Sequence, residues 1–281
     1  MEQNVLKKIK ETTSYILSLK GFRPTVAIVG GSGLSDIEKN FTVLKKIEYS
    51  KIPHFLKATV QGHKGELLLC SYQNTNILIF NGRFHYYEGF SAKEIVYPIR
   101  VMKFLGIQTL LITAAVGAIN TKYSVGDIVL IKDHLNFTGY NPLISKHLDD
   151  FGERFPSMGN VYDFKLRKRA LTIAVKHKIK VQEGVYCGVA GPSYETSAEI
   201  KAFKKLGADI IGMSVVYEAI VASQMKMDIL GIAHVSNIAQ NSNGKVLSHK
   251  QVLKNGQEAT NKISKLIKGV VNFINSKRID R

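Results

Sequence analysis

Apolar and polar positions along this chain follow two alternating periods. Residues 25–34, TVAIVGGSGL, are a β-branched apolar run ending in a glycine turn, which predicts a buried strand opening into a loop. GELLLCSY (65–72) and TNILIFNGR (75–83) predict paired strands. SAKEIVYPIRVMKFLG (91–106) switches to helical spacing, with Ser91 and Glu94 as a capping box and Gly106 as a stop. Strands are predicted at TLLITAAVG (109–117) and GDIVLI (126–131). After a polar stretch of about 30 residues containing Gly and Pro, a helix is predicted over 163–178. The alternation continues with a strand at GVYCGVAG (184–191), a helix over 196–207 capped by Thr196 and Glu199, and a strand at ADIIGM (208–213). A helix over 216–226, a strand at DILGIAHVS (228–236) and a long C-terminal helix complete it.

Strands interleaved with helices define an α/β chain with a largely parallel or mixed sheet covered by helices on both faces. No internal repeat, low-complexity stretch or linker interrupts it, so residues 1–281 read as a single domain. In such sheets ligands gather at strand ends. No apolar run approaches the roughly 20 residues that span a bilayer. The lysine-studded, amphipathic N-terminus has no signal-peptide core, so a cytoplasmic protein that does not engage membranes is expected.

Cys70 and Cys187 are too few and too isolated for a disulfide framework. None of the eight histidines falls in a metal-binding spacing, so neither disulfide nor metal is expected. The formal net charge of +17 raises a nucleic-acid reading. Its distribution argues against one. Residues 245–281 carry nine Lys or Arg against two acids, spread along an amphipathic helix without interleaved stacking aromatics, which describes a solvated basic face.

The chemistry-bearing residues cluster at predicted strand ends. GGSGLSD (30–36) is neither a dinucleotide fingerprint nor a P-loop; it is either a nest of N–H groups with Ser32 for an oxyanion or a plain tight turn. NGRFHYYEGF (81–90) packs Arg83, His85, Tyr87 and Glu88 between glycines. Arg83 suits a phosphate, and His85 and Tyr87, two and four residues on along extended backbone, point the same way. The bland alternative is a surface Arg83 paired with Glu88, with Tyr87 in the core. In GPSYETSAEI (191–200), Glu195 stands just ahead of a helix start beside Tyr194. It either steadies that helix terminus or, with Asn237 at another strand end, reads a heterocycle.

Taken together and in order, GRFHYYEG, ERFPSM, VAGPSYETSAE and LGADIIGMS resemble the trimeric purine nucleoside phosphorylases, over about residues 20–275. The resemblance implies a single three-layer domain whose mixed, partly barrel-like sheet is flanked by helices. It also implies phosphorolysis of the N-glycosidic bond of inosine, guanosine and their 2′-deoxy forms. Inorganic phosphate is then a co-substrate, with no cofactor and no metal. Carried over by motif, phosphate meets Ser32, His63, Arg83, His85, the backbone N–H of Ala115, and Ser214, while Glu88 orients His85. Ribose meets Tyr87, Met213, His249 and, from a neighbouring subunit of a homotrimer, Phe155. The purine meets Tyr194, Glu195 and Asn237, and the catalytic set is Asn237, Glu195 and His85.

Two departures stand out. TAAVGAIN (113–120) replaces the common TNAAGG, so that Ala114, Val116 and Ala118 predict a shifted local loop with the Ala115 N–H retained. Ser236 stands where threonine is common. The alternative within the same fold is 5′-methylthioadenosine phosphorylase, which tends to place Asp where this chain has Asn237. A basic nucleic-acid-binding or regulatory relative would require Arg83, His85 and Glu195 to be replaced, and all three are present.

Overall fold

The computed structural model describes residues 2–19, 21–31, 37–57, 64–239 and 249–279; the side chains of 2–3, 249–258 and 277–279 are not described. In chain order the elements are α1 (Glu2–Leu17), β1 (Val26–Val29), β2 (Thr42–Glu48), β3 (Glu66–Tyr72) and β4 (Thr75–Asn81). Then come α2 (Ala92–Ile95), α3 (Tyr97–Phe104), β5 (Thr109–Ala118), β6 (Ile128–Phe137), α4 (Phe164–Lys176) and β7 (Val181–Val189). The last are α5 (Ser197–Lys205), β8 (Ile210–Gly212), α6 (Val216–Gln224), β9 (Asp228–Ile238) and α7 (His249–Ile279).

The described strands form one mixed sheet in the order β2-β3-β4-β1-β5-β8-β7-β6-β9, and β9 also pairs with β5. That last pairing closes β5, β8, β7, β6 and β9 into a ring, from which β1, β4, β3 and β2 extend as a wing. Strands β4, β1, β5 and β9 run parallel, so their C-terminal ends share one edge. One face of the sheet is covered by α1, α3 and α6 through Ile9, Val101 and Ile220. The other is covered by α4 and α7 through Ala170, Ile263 and Val270. Every strand of the parallel set is therefore apolar on both faces, as its continuous apolar runs predict.

Both capping boxes form as the sequence predicts, Ser91 with Glu94 and Thr196 with Glu199. The helix predicted over 91–106 is instead two helices that meet at Val96. Pro98 lies in the first turn of α3 and has no N–H to continue α2. Strand β2 was absent from the sequence pattern because most of its residues face solvent on the sheet edge. The departure TAAVGAIN does not open a loop, since β5 runs through it to Ala118, with Ala114, Val116 and Ala118 buried in the core.

Candidate active site

The C-terminal ends of β4, β5 and β9 each deliver one part of a single cleft. A β-bulge where β5 pairs with β9 advances the partner of Gly117 to Asn237, leaving Ser236 as the extra residue. The Ser236 hydroxyl proton is shared between Val116 O at 3.1 Å and Asn237 Oδ1 at 2.8 Å. That fixes the amide with Nδ2 as donor. A Cβ at Gly117 would lie 3.1 Å from this Nδ2, so glycine there gives the amide its room. The glycine turn after β1 lies as close to β5: a Cβ on Gly31 would meet Thr113 O at 2.6 Å.

Arg83 follows β4 and is only 4 % exposed. Its Nη1 donates to Thr113 O at 2.9 Å and to Ser214 Oγ at 3.0 Å, and its Nε to Glu218 Oε1 at 3.2 Å. The bland reading of a surface Arg83 paired with Glu88 is thus incorrect, because Glu88 belongs to His85. Glu88 Oε1 accepts both the backbone N–H and Nδ1–H of His85 at 2.8 Å. Burial is the largest influence on His85 and holds its pKa below the usual value, opposed by the Glu88 hydrogen bond. The ring is therefore neutral at pH 7, with its proton on Nδ1 and Nε2 as an acceptor. Tyr87 stacks on this imidazole at 4.6 Å. It does so from a 3-10 turn over Tyr86–Glu88, so the strand-like alternation predicted past His85 does not hold.

Across the cleft, Tyr194 and Glu195 precede α5. Burial pushes the Glu195 carboxyl above its ordinary range; a bond from its own backbone N–H opposes this and Glu199 adds to it. Met213 packs where a Cβ on Gly191 would approach Sδ to 2.4 Å. Ser214 donates its N–H to the Tyr186 hydroxyl at 3.1 Å.

Of the residues singled out from sequence, Arg83, His85, Tyr87, Ala115, Tyr194, Glu195, Met213, Ser214 and Asn237 all border this one cleft. Ser32 and His63 lie outside the described residues, as does the side chain of His249, which opens α7. Phe155 is elsewhere in the chain's own fold: it is 86 % exposed and borders a second cavity of about 720 Å³ with Arg100 and Ile144. Sequence reasoning missed Ser236 as the support of Asn237, and Glu218 and Thr113 as anchors of Arg83. Glu218 carried a readable signal, being a lone carboxylate in the apolar run of α6, where a buried ionised group requires a partner. Among the described residues, no group of His, Cys, Asp and Glu is placed to hold a metal ion, and no helix is long and apolar enough to cross a membrane.

A guanidinium, an imidazole and a hydroxyl line one cleft together with an aromatic, a carboxylate and an amide, donors of the kind that bind an anion and a mixed set of the kind that binds a heterocycle. The sequence profile described as Phosphorylase superfamily matches residues 25–272. Purine nucleoside phosphorylase 1 of Bacillus subtilis (strain 168) is 39% identical over 264 residues, 94% of this chain and 97% of that protein. The Mus musculus purine nucleoside phosphorylase is 37% identical over 275 residues, covering 95% of each. Among solved structures, Schistosoma mansoni purine nucleoside phosphorylase in complex with adenosine aligns with a TM-score of 0.88 at 32% identity, over 94% of this chain and 96% of that one. Isoform 2 from the same organism, in complex with cytosine and ribose-1-phosphate, aligns with a TM-score of 0.89 at 37% identity, over 94% and 95%. The chain belongs to the phosphorylase superfamily and, within it, to the purine nucleoside phosphorylases.

Proposed function

We propose that this chain cleaves 6-oxopurine nucleosides, inosine and guanosine and their 2′-deoxy forms, with inorganic phosphate, yielding free base and (deoxy)ribose 1-phosphate. The observation that carries the reading is the single cleft in which Arg83, His85 and Ser214 face Glu195 and Asn237. Phosphate is held by Arg83, His85, Ser214 and the Ala115 N–H, with Ser32 and His63 completing the set. The sugar lies against Tyr87 and Met213, with His249 a further sugar contact that the family resemblance implies. The base stacks on Tyr194.

The chemistry follows from charge. As the glycosidic bond breaks, the sugar becomes oxocarbenium-like and the phosphate dianion beside it stabilises the positive charge. The departing purine gains electrons, which Nδ2–H of Asn237 stabilises at N7 or O6 while Glu195 accepts N1–H of a 6-oxopurine. Adenine presents an acceptor at N1 and meets a carboxylate there, so adenosine is disfavoured. Asn237, rather than the aspartate of methylthioadenosine phosphorylases, points the same way. Phosphate is the co-substrate and the reading needs no cofactor.

We read residues 1–281 as one domain on the strength of the continuous sheet, acting in the cytoplasm as a homotrimer. In that trimer Phe155, exposed in its own protomer, closes the sugar pocket of the next. The decisive assay couples hypoxanthine release from inosine to uric acid formation, with and without phosphate. Phosphate-dependent release is expected; equal turnover of adenosine would overturn the base assignment.

A further inference from the structure

Two costly features converge on one buried carboxylate behind the phosphate side of the cleft. Glu218, in the first turn of α6, is 4 % exposed. Its Oε1 accepts from Arg83 Nε at 3.2 Å and its Oε2 from the backbone N–H of Val215 at 3.0 Å. Val215 is a β-branched residue at φ 71° and ψ −52°. The N–H of Val216 donates to Ser214 O at 2.8 Å, which closes a tight turn around it. Left-handed backbone is a genuine strain for such a residue and persists only where the surroundings enforce it. A buried guanidinium–carboxylate pair likewise adds little net stability, since both ions leave water.

Both features abut atoms of the cleft, and the two cleft residues they control touch each other, Arg83 Nη1 to Ser214 Oγ at 3.0 Å. A plain helix cap would not need burial or an arginine. We propose that Glu218 is a positioning residue that joins Arg83 and Ser214 into one rigid phosphate clamp. It fixes the roll of the guanidinium through Nε, and it holds the strained turn that aims the Ser214 hydroxyl. The inference rests on reading this wall as the phosphate site.

Glu218→Gln separates positioning from charge. Both partners are N–H donors, and an amide has one acceptor oxygen, so one donor must face the new NH₂ group. Loss of the negative charge alone would make the wall more positive and tighten phosphate binding. The clamp predicts the reverse: KM for phosphate rises about tenfold or more while KM for inosine stays within about twofold. It also predicts non-additivity: in an Arg83→Ala background, Glu218→Gln raises the phosphate KM by clearly less than it does in the unmodified protein, because only the Ser214 turn is left to disturb.

Inorganic phosphate titrated against the melting temperature gives the same comparison without turnover. If Glu218→Gln does not fold, Glu218→Asp keeps the charge but is one methylene too short to reach both donors, and the same direction is expected. Tighter or unchanged phosphate binding in the folded variant, or full additivity with Arg83→Ala, overturns the proposal. Absence of any phosphate effect in the unmodified protein overturns the reading of the wall itself.

Discussion

Glu88 grips His85 at two points: one carboxylate oxygen accepts both the backbone N–H and the Nδ1–H of His85, each at 2.8 Å. The two side chains are 5 % and 3 % exposed, so the grip is shielded from water. It turns the 3-10 segment and selects the imidazole tautomer together, which is the positioning that the proposed phosphate role of His85 requires.

Glu88→Ala is therefore expected to lower kcat/KM for phosphate by about 10–100-fold, the loss of a hydrogen bond to a charged group of about 1.5–3 kcal/mol. Glu88→Gln keeps an acceptor oxygen and should lose less. Steady-state kinetics with phosphate varied at saturating inosine decides this. An alanine variant that matches the unmodified enzyme would remove Glu88 from the argument.

The pH dependence of base binding should report Glu195. Burial raises its pKa above 4.5, so as pH falls it protonates earlier than an ordinary glutamate. The protonated form keeps only a neutral carbonyl oxygen to accept N1–H of the base, a weaker acceptor than the carboxylate. Hypoxanthine affinity is thus full above the raised pKa and weakens as pH falls through it. Calorimetric titrations between about pH 4.5 and 7.5 are expected to show this break in the unmodified protein. In Glu195→Gln, binding at neutral pH should be weaker and the break gone. The same break in both proteins would assign it to another group.

What was legible before the structure has a physical pattern. Gly106 at φ +84°, the capping boxes and the buried strands depend on local rules, and each was readable. The strand ends also gave up Arg83, His85, Glu195 and Asn237, because charged and amide groups beside apolar runs must have partners. The supports of those residues were hidden. Glu218 lies 135 residues from Arg83, and Ser236 acts across a bulge, a two-against-one register invisible in a single strand's pattern. Tyr87 was found for an incorrect reason: it stacks on His85 from a 3-10 turn rather than along a strand.

Phe155 tests the assembly. An 86 % exposed phenylalanine beside exposed Ile144 and a large cavity is costly in water and suits a face that a second copy covers. Light scattering should give a homotrimer. Phe155→Ala should raise KM for inosine by up to about 10–100-fold, from burial of about 1.5–3 kcal/mol, with little change for phosphate. Mixing Phe155→Ala with Glu195→Ala subunits should restore activity, because a Phe155→Ala site with intact Glu195 then receives Phe155 from its neighbour. A fully active monomer, or mixing without recovery, overturns the shared site.

In the proposed reading Asn237 carries the choice of base, and its support makes the test sharp. The Ser236 hydroxyl donates to Oδ1, so the amide keeps Nδ2–H as its donor, the group that the proposed base contact uses. Asn237→Asp keeps the shape and the Ser236 bond but replaces that donor with a charged acceptor. Against N7 or O6 of a 6-oxopurine the carboxylate faces lone pairs and removes stabilisation as the leaving base gains electrons, so inosine cleavage should fall steeply. Toward adenosine the same carboxylate accepts from the exocyclic amine or from a protonated N7, and the loss should be smaller or reversed. A buried polar group left without its partner costs about 1–3 kcal/mol, more if charged. The inosine-to-adenosine ratio of kcat/KM should therefore drop at least about tenfold, at about 1.4 kcal/mol per decade. Ser236→Ala gives a milder control: the amide loses its fixed orientation but keeps its donor, so inosine activity should fall without a change in preference. Both nucleosides, measured in all three proteins at saturating phosphate, distinguish these outcomes. A ratio that does not move in Asn237→Asp would overturn the base-reading role of Asn237 and leave phosphate-dependent cleavage standing.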